Sequence, residues 1–98
     1  MAVLRSPQSD SDLDSIWYYV ATESGSEEAA NRLIDSITER FLLLANYPNV
    51  GRPRTDLRPG LRSFPLGDYV IIYRVQDEDV VIVRVLRGSR DIQALFGR

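Results

Sequence analysis

Apolar residues recur along this chain with two periods, and the change from one to the other divides it. Leu13, Ile16, Trp17 and Val20 fall at i, i+3, i+4 and i+7, which is one face of a helix. The preceding cluster Ser9-Asp10-Ser11-Asp12 offers N-caps, and acids in a first turn suit the helix dipole. Glu23-Ser24-Gly25 ends this helix. A second begins either with a Ser24/Glu27 capping box or with Ser26 as the cap. Its stripe, Ala30, Leu33, Ile34, Ile37, Phe41 and Leu44, runs unbroken until Asn46-Tyr47-Pro48-Asn49. The short connection implies an antiparallel helical hairpin whose apolar faces need a third surface. Residues 2–5 read as a short strand ended by Ser6-Pro7.

After residue 60 the helical period disappears. Tyr69–Val75 and Val80–Leu86 are rich in β-branched and aromatic residues and read as strands. Leu61–Leu66 reads as a third, joined to the next by Gly67-Asp68, a two-residue turn with glycine first. Pro65 cannot donate a ladder hydrogen bond, which predicts an edge strand. An odd-length loop after Val75 places Tyr69, Ile71, Tyr73, Val81, Val83 and Val85 on one uncharged face under the helices. The other face then carries Arg74 and Arg84 among Val70, Ile72, Val80 and Ile82. The final segment, Arg87 to Phe96, starts with a turn and continues as a short helix or tail. The expected fold is α+β over a single domain, residues 1–98: short strand, helical hairpin, three-stranded antiparallel meander, short C-terminal element.

Composition narrows the chemistry. There is no cysteine, so disulfides and thiolate metal sites are excluded. There is no histidine, which removes the commonest general acid–base and metal ligand. All twelve basic residues are arginine, which binds and stabilises charge but does not release a proton near neutral pH. No metal or cofactor motif is present. Apolar runs are too short to span a bilayer, and the first residues lack the pattern of a secretory signal, so a cytoplasmic protein is expected. Residues 1–50 carry three arginines against eight acids, and residues 51–98 nine against six. An acidic half and a basic half suggest a polarised surface with a partner on the basic side, or two halves that neutralise each other on folding.

Two arginine clusters are candidates for function. Arg52, Arg54, Arg58 and Arg62 lie in a segment punctuated by Gly51, Pro53 and Pro59-Gly60, the last fitting the middle of a type II turn. They either grip an anionic partner or serve as scaffold, pairing with the acidic hairpin and capping the second helix. Arg84, Arg87 and Arg90 end the last strand and, with Arg74 and Phe96, form the second candidate group for partner contact. Five tyrosines, among them Tyr18, Tyr19 and Tyr69, either stack on bases or lie half-buried with the hydroxyl in water.

The helical hairpin is followed by Gly51-Arg52-Pro53-Arg54, then Leu57-Arg58-Pro59-Gly60-Leu61-Arg62-Ser63-Phe64, then Tyr69-Val70-Ile71-Ile72-Tyr73-Arg74, then Arg84-Val85-Leu86-Arg87-Gly88-Ser89-Arg90-Asp91. This series closely resembles the ParE toxins of the RelE/ParE superfamily, the toxin halves of bacterial type II toxin–antitoxin modules. The resemblance covers nearly the whole chain. It implies a strand–helix–helix–three-strand order, a cognate antitoxin (ParD-like or other) in a hetero-oligomer, and no cofactor. It also implies DNA gyrase as a target inhibited by binding rather than by catalysis.

RelE-type members of the superfamily resemble ribosome-dependent mRNA endonucleases, which use lysines, arginines and a C-terminal tyrosine or histidine. This chain has neither lysine nor histidine, places Phe96 where those enzymes carry a functional aromatic, and has Pro65 about where they carry a strand arginine. Only Arg90 matches, and one arginine stabilises a phosphorane without activating the nucleophile. mRNA cleavage with Arg90 as its catalytic residue is the alternative, as is a non-toxic antitoxin-binding module. Direct nucleic-acid binding by the chain alone is disfavoured.

Overall fold

The computed structural model describes residues 2–96. Eight elements follow in the order β1 (Val3–Arg5), α1 (Pro7–Ser24), α2 (Glu27–Asn46), β2 (Arg52–Pro53), β3 (Leu61–Leu66), β4 (Tyr69–Gln76), β5 (Asp79–Arg87) and α3 (Ile92–Phe96). The strands form one sheet in the order β1-β5-β4-β3-β2. Only the β1–β5 pair is parallel, with Val3 opposite Val80 and Arg5 opposite Ile82.

The helix starts are set by serines. Ser6, not the Ser9–Asp12 cluster, caps α1: its Oγ accepts from the Ser9 amide at 3.0 Å, and Pro7 occupies the first turn. Proline there leaves unmade only a hydrogen bond that no helix makes. The same Oγ donates to the Val83 carbonyl at 2.8 Å, so the cap also ties α1 to β5. Gly25 ends α1 in the left-handed region at φ 69°. Ser26 caps α2, with Glu27 and Glu28 in its first turn.

The hairpin packs on one face of the sheet. Leu13 and Ile16 of α1 and Ile37, Phe41 and Leu44 of α2 meet Tyr69, Ile71, Tyr73, Val80, Ile82 and Val85. The β4 members are those the period-2 pattern selects, but in β5 the early phase is inverted. The connection after β4 is two residues, Asp77-Glu78, with Val75 opposite Val80 and Gln76 opposite Asp79. The odd-length loop is therefore incorrect, and Val80 and Ile82 take the places expected for Val81 and Val83. The missing residue lies inside the strand: Tyr73 faces Ile82, Ile72 faces Arg84, and Val83 is the extra residue of a β-bulge. Beyond it the phase returns to the expected one at Val85.

The second sheet face is covered too, which the sequence pattern did not indicate. Leu57 from the loop, Leu61 of β3, and Ile92 and Phe96 from α3 bury Ile72 and Leu86. Pro65 is also differently placed: β3 is not the outermost strand, because β2 pairs with it at Ser63 and Arg62. Pro65 lies past that two-residue pairing, where its missing donor is not needed.

Candidate partner-binding site

The loop from Gly51 to Gly60 is built on a buried tyrosine. Tyr73 Oη donates to the Pro48 carbonyl at 2.8 Å and accepts from the Gly51 amide at 2.9 Å. Burial pushes the Tyr73 phenol up from its ordinary value, against a smaller opposing effect of the Gly51 hydrogen bond. A Cβ at Gly51 would collide with the Tyr73 hydroxyl and come within 2.9 Å of the Ser63 carbonyl, so glycine here answers a close approach. Arg58 to Leu61 closes as a turn with Gly60 at φ 86° and a Leu61 amide to Arg58 carbonyl hydrogen bond of 3.3 Å, as the Pro-Gly pair predicts.

Three of the four loop arginines are occupied by this construction. Arg62 Nη1 donates to the Gly51 carbonyl at 2.7 Å and the Asn49 carbonyl at 3.3 Å. Arg54 grips Asp56 with two hydrogen bonds of 3.0 Å, and Gln93 of α3 donates to the same carboxylate. The Arg54 contact first, then Gln93, holds the Asp56 carboxyl well below the usual carboxylate range. Arg58 lies 5.2 Å above the Phe96 ring and reaches the Phe96 carbonyl. None of the four pairs with a carboxylate of the helical hairpin among the described residues. The loop joins the sheet edge opposite β1, where its own carbonyls and Asp56 are nearer. Arg52 is exposed and has no hydrogen-bond or ionic partner among the described residues.

The second group is split. Arg84 makes a two-pronged ion pair with Asp12 of α1 at 2.8 and 2.9 Å, and both side chains are largely buried, at 19% and 12% exposure. Asp12 Oδ2 also accepts from the Val85 amide at 2.9 Å. β1 has ended at Arg5, so Asp12 supplies the hydrogen bond a neighbouring strand would otherwise give. The Asp12 contact pushes the Arg84 guanidinium up from its ordinary value, with desolvation opposing. Arg74 donates to its own strand's Gln76 at 2.9 and 3.0 Å. Phe96 is buried in the second core.

Arg87 and Arg90 remain. The Arg87 guanidinium sits 5.4 Å from the Tyr19 ring and 6.0 Å from the Tyr69 ring. Both arginines border a cleft of about 150 Å³ between α1 and the end of β5, floored by Ile16, Val85 and Leu86. Neither side chain has a carboxylate partner among the described residues. Reasoning from sequence missed Asp12 as an anchor and Tyr19 as a wall. Their spacing from Ile16, at i, i+4 and i+7, is the signal that could have found them. No group of three His, Cys, Asp or Glu is placed to hold a metal ion among the described residues, and no helix there is long and apolar enough to cross a membrane.

The frame is similar to that of chains from solved toxin–antitoxin systems. It superposes on a chain of the chromosomal ParDE toxin–antitoxin system from P. aeruginosa with a TM-score of 0.78, at 26% identity, over 89% of this chain and 95% of that one. A chain of the toxin–antitoxin complex RelBE2 from Mycobacterium tuberculosis matches with a TM-score of 0.68, at 26% identity, over 88% and 95%. Residues 3–92 match the family model of the ParE toxin of the type II toxin–antitoxin system parDE. Among curated relatives, Toxin ParE3 of Caulobacter vibrioides is 38% identical over 98% of this chain and 95% of its own length. Toxin ParE1 of Mycobacterium tuberculosis is 30% identical over 91% of each. The chain belongs to the ParE toxin family of type II toxin–antitoxin systems.

Proposed function

We propose that this toxin acts by binding DNA gyrase and stabilising the cleaved-DNA state, and that a cognate antitoxin neutralises it by covering the arginine-bearing end of the sheet. The observation that carries the reading is the set of side chains around the matching arginine, a cleft whose described lining holds no histidine, no lysine and no unengaged carboxylate. Arg90 shares the cleft with Arg87, the Asp12 carboxylate there is already occupied by Arg84 and Val85, and the aromatic Phe96 is buried. Such a set holds charge in place, and the two tyrosines of the cleft serve as ring contacts for Arg87 in this reading rather than as an acid–base pair. Arg87 and Arg90 are the partner-facing residues in this reading, with Arg52 as an outlying contact; Arg74, engaged by Gln76 toward the other end of β4, lies away from them. Arg84 and Phe96, and with them Arg54, Arg58 and Arg62, are scaffold.

The test is a supercoiling assay with purified gyrase and plasmid. Inhibition with accumulation of linear, gyrase-cleaved DNA is the expected result, and unimpaired supercoiling at excess toxin overturns the target. The likeness to a chain of RelBE2 supplies the second reading. Primer extension on translated mRNA that reveals toxin-dependent cuts, lost in Arg90→Ala, would transfer the function to RNA cleavage.

A further inference from the structure

The cleft between α1 and β5 has a chemistry more specific than a basic patch. Arg87 lies over two aromatic rings: the Tyr19 and Tyr69 π-clouds attract its guanidinium from 5.4 and 6.0 Å. Its N–H donors meet no hydrogen-bond acceptor or carboxylate among the described residues. Those donors match the two oxygens of a carboxylate in geometry and charge. Arg90 stands at the same mouth, held near Arg87 by a turn in which its amide donates to the Arg87 carbonyl at 3.1 Å. Two cations without acidic partners among the described residues, in a chain whose net charge is −2, ask for an anion from outside.

The floor selects which anion. Ile16, Val85 and Leu86 are apolar, and the volume of about 150 Å³ is that of a cavity that accepts one benzene-sized group. The Asp12 carboxylate lies in the wall, which disfavours a polyanion with a continuous run of phosphates. A single carboxylate beside an aliphatic group satisfies both the mouth and the floor. We propose that this cleft is a carboxylate-recognition subsite for the antitoxin, receiving an aspartate or glutamate side chain together with a neighbouring aliphatic side chain. The inference rests on the reading of the protein as a toxin held by an antitoxin, and not on the choice of gyrase as target.

The test uses 4-methylpentanoate as the probe, followed by amide chemical shifts of the toxin. Saturable shifts at Tyr19, Leu86, Arg87 and Arg90 are expected, with 4-methylpentanamide and inorganic phosphate giving far weaker ones. Arg87→Gln and Arg90→Gln, each checked for native amide dispersion, should weaken the probe about tenfold or more, the loss of a charge-assisted hydrogen bond. In the toxin–antitoxin complex the same amides should no longer respond. Absence of saturation, or an equal response to phosphate, overturns the carboxylate site. A cleft that still answers the probe inside the complex overturns the antitoxin as its occupant. Failure of the complex to form at all is a separate result and counts against the antitoxin reading itself.

Discussion

The two arginine clusters have the same side chain and opposite uses. In the loop, Arg54 and Arg62 have their donors engaged by Asp56 and by backbone carbonyls, and Arg58 is stacked on Phe96. At the end of β5, Arg87 lies against tyrosine rings and Arg90 is placed by its backbone, and neither guanidinium has a hydrogen-bond or ionic partner among the described residues. An arginine's part is therefore set by where its N–H groups point, and the density of arginines along the sequence says little about it. Arg84 and Arg52 are the exceptions that locate the boundary, one structural among the open group and one open among the structural group.

The sharpest way to test that boundary is Arg84→Ala. It strands the largely buried Asp12 carboxylate, and urea unfolding should show a loss of about 3 kcal/mol. The double substitution with Asp12→Ala should cost less than the two singles added together. Gly51→Ala comes next, at about 2 kcal/mol, because the new methyl displaces Tyr73 or the β3 backbone. Arg58→Ala should cost about 1 kcal/mol and release α3, seen as faster hydrogen exchange at Leu95. Arg90→Ala should change stability by less than about 0.5 kcal/mol while weakening partner binding. A large stability loss there would erase the contrast between the clusters.

Acid and alkali probe the same loop from two sides. Asp56 has a depressed carboxyl, so its contribution is present above the unfolded value of about 3.9 and is lost as pH falls through the lower folded value. Asp56→Asn should flatten the acid limb of the stability curve below about pH 4. Tyr73 is raised, so its contribution is complete below about pH 10 and is lost as pH climbs through the folded value. Tyr73→Phe should remove that alkaline step, read by phenolate absorbance.

The parts of the fold governed by long periodic stretches were legible. The stripe from Ala30 to Leu44 and the β-branched runs of β4 and β5 predict their elements closely, as Gly67-Asp68 does its turn. The places that were not legible have physical reasons. Asp77-Glu78 carries no glycine, yet Asp77 adopts φ 57°, a conformation that a short polar side chain tolerates. The bulge falls on Val83, whose β-branched side chain gives no sign of an interruption. β2 is two residues of Arg-Pro, too short for any period. For the candidate site, the cationic ends of β5 were visible, but Asp12 reads as a helix cap until its distance to Arg84 is known.

The parallel pairing of β1 with β5 also bears on timing. A chain emerges from the ribosome N-terminus first, so Val3–Arg5 is made well before its partner, Val80–Ile82. Through that interval the hairpin has no sheet to cover its apolar stripe, and the Ser6 hydroxyl has no Val83 carbonyl to reach across 77 positions. Long-range closure of this kind waits for the last strand. A chain lacking Asp79–Arg87 would lose the strand that joins β1 to the rest of the sheet, so this fold cannot close before β5 is made.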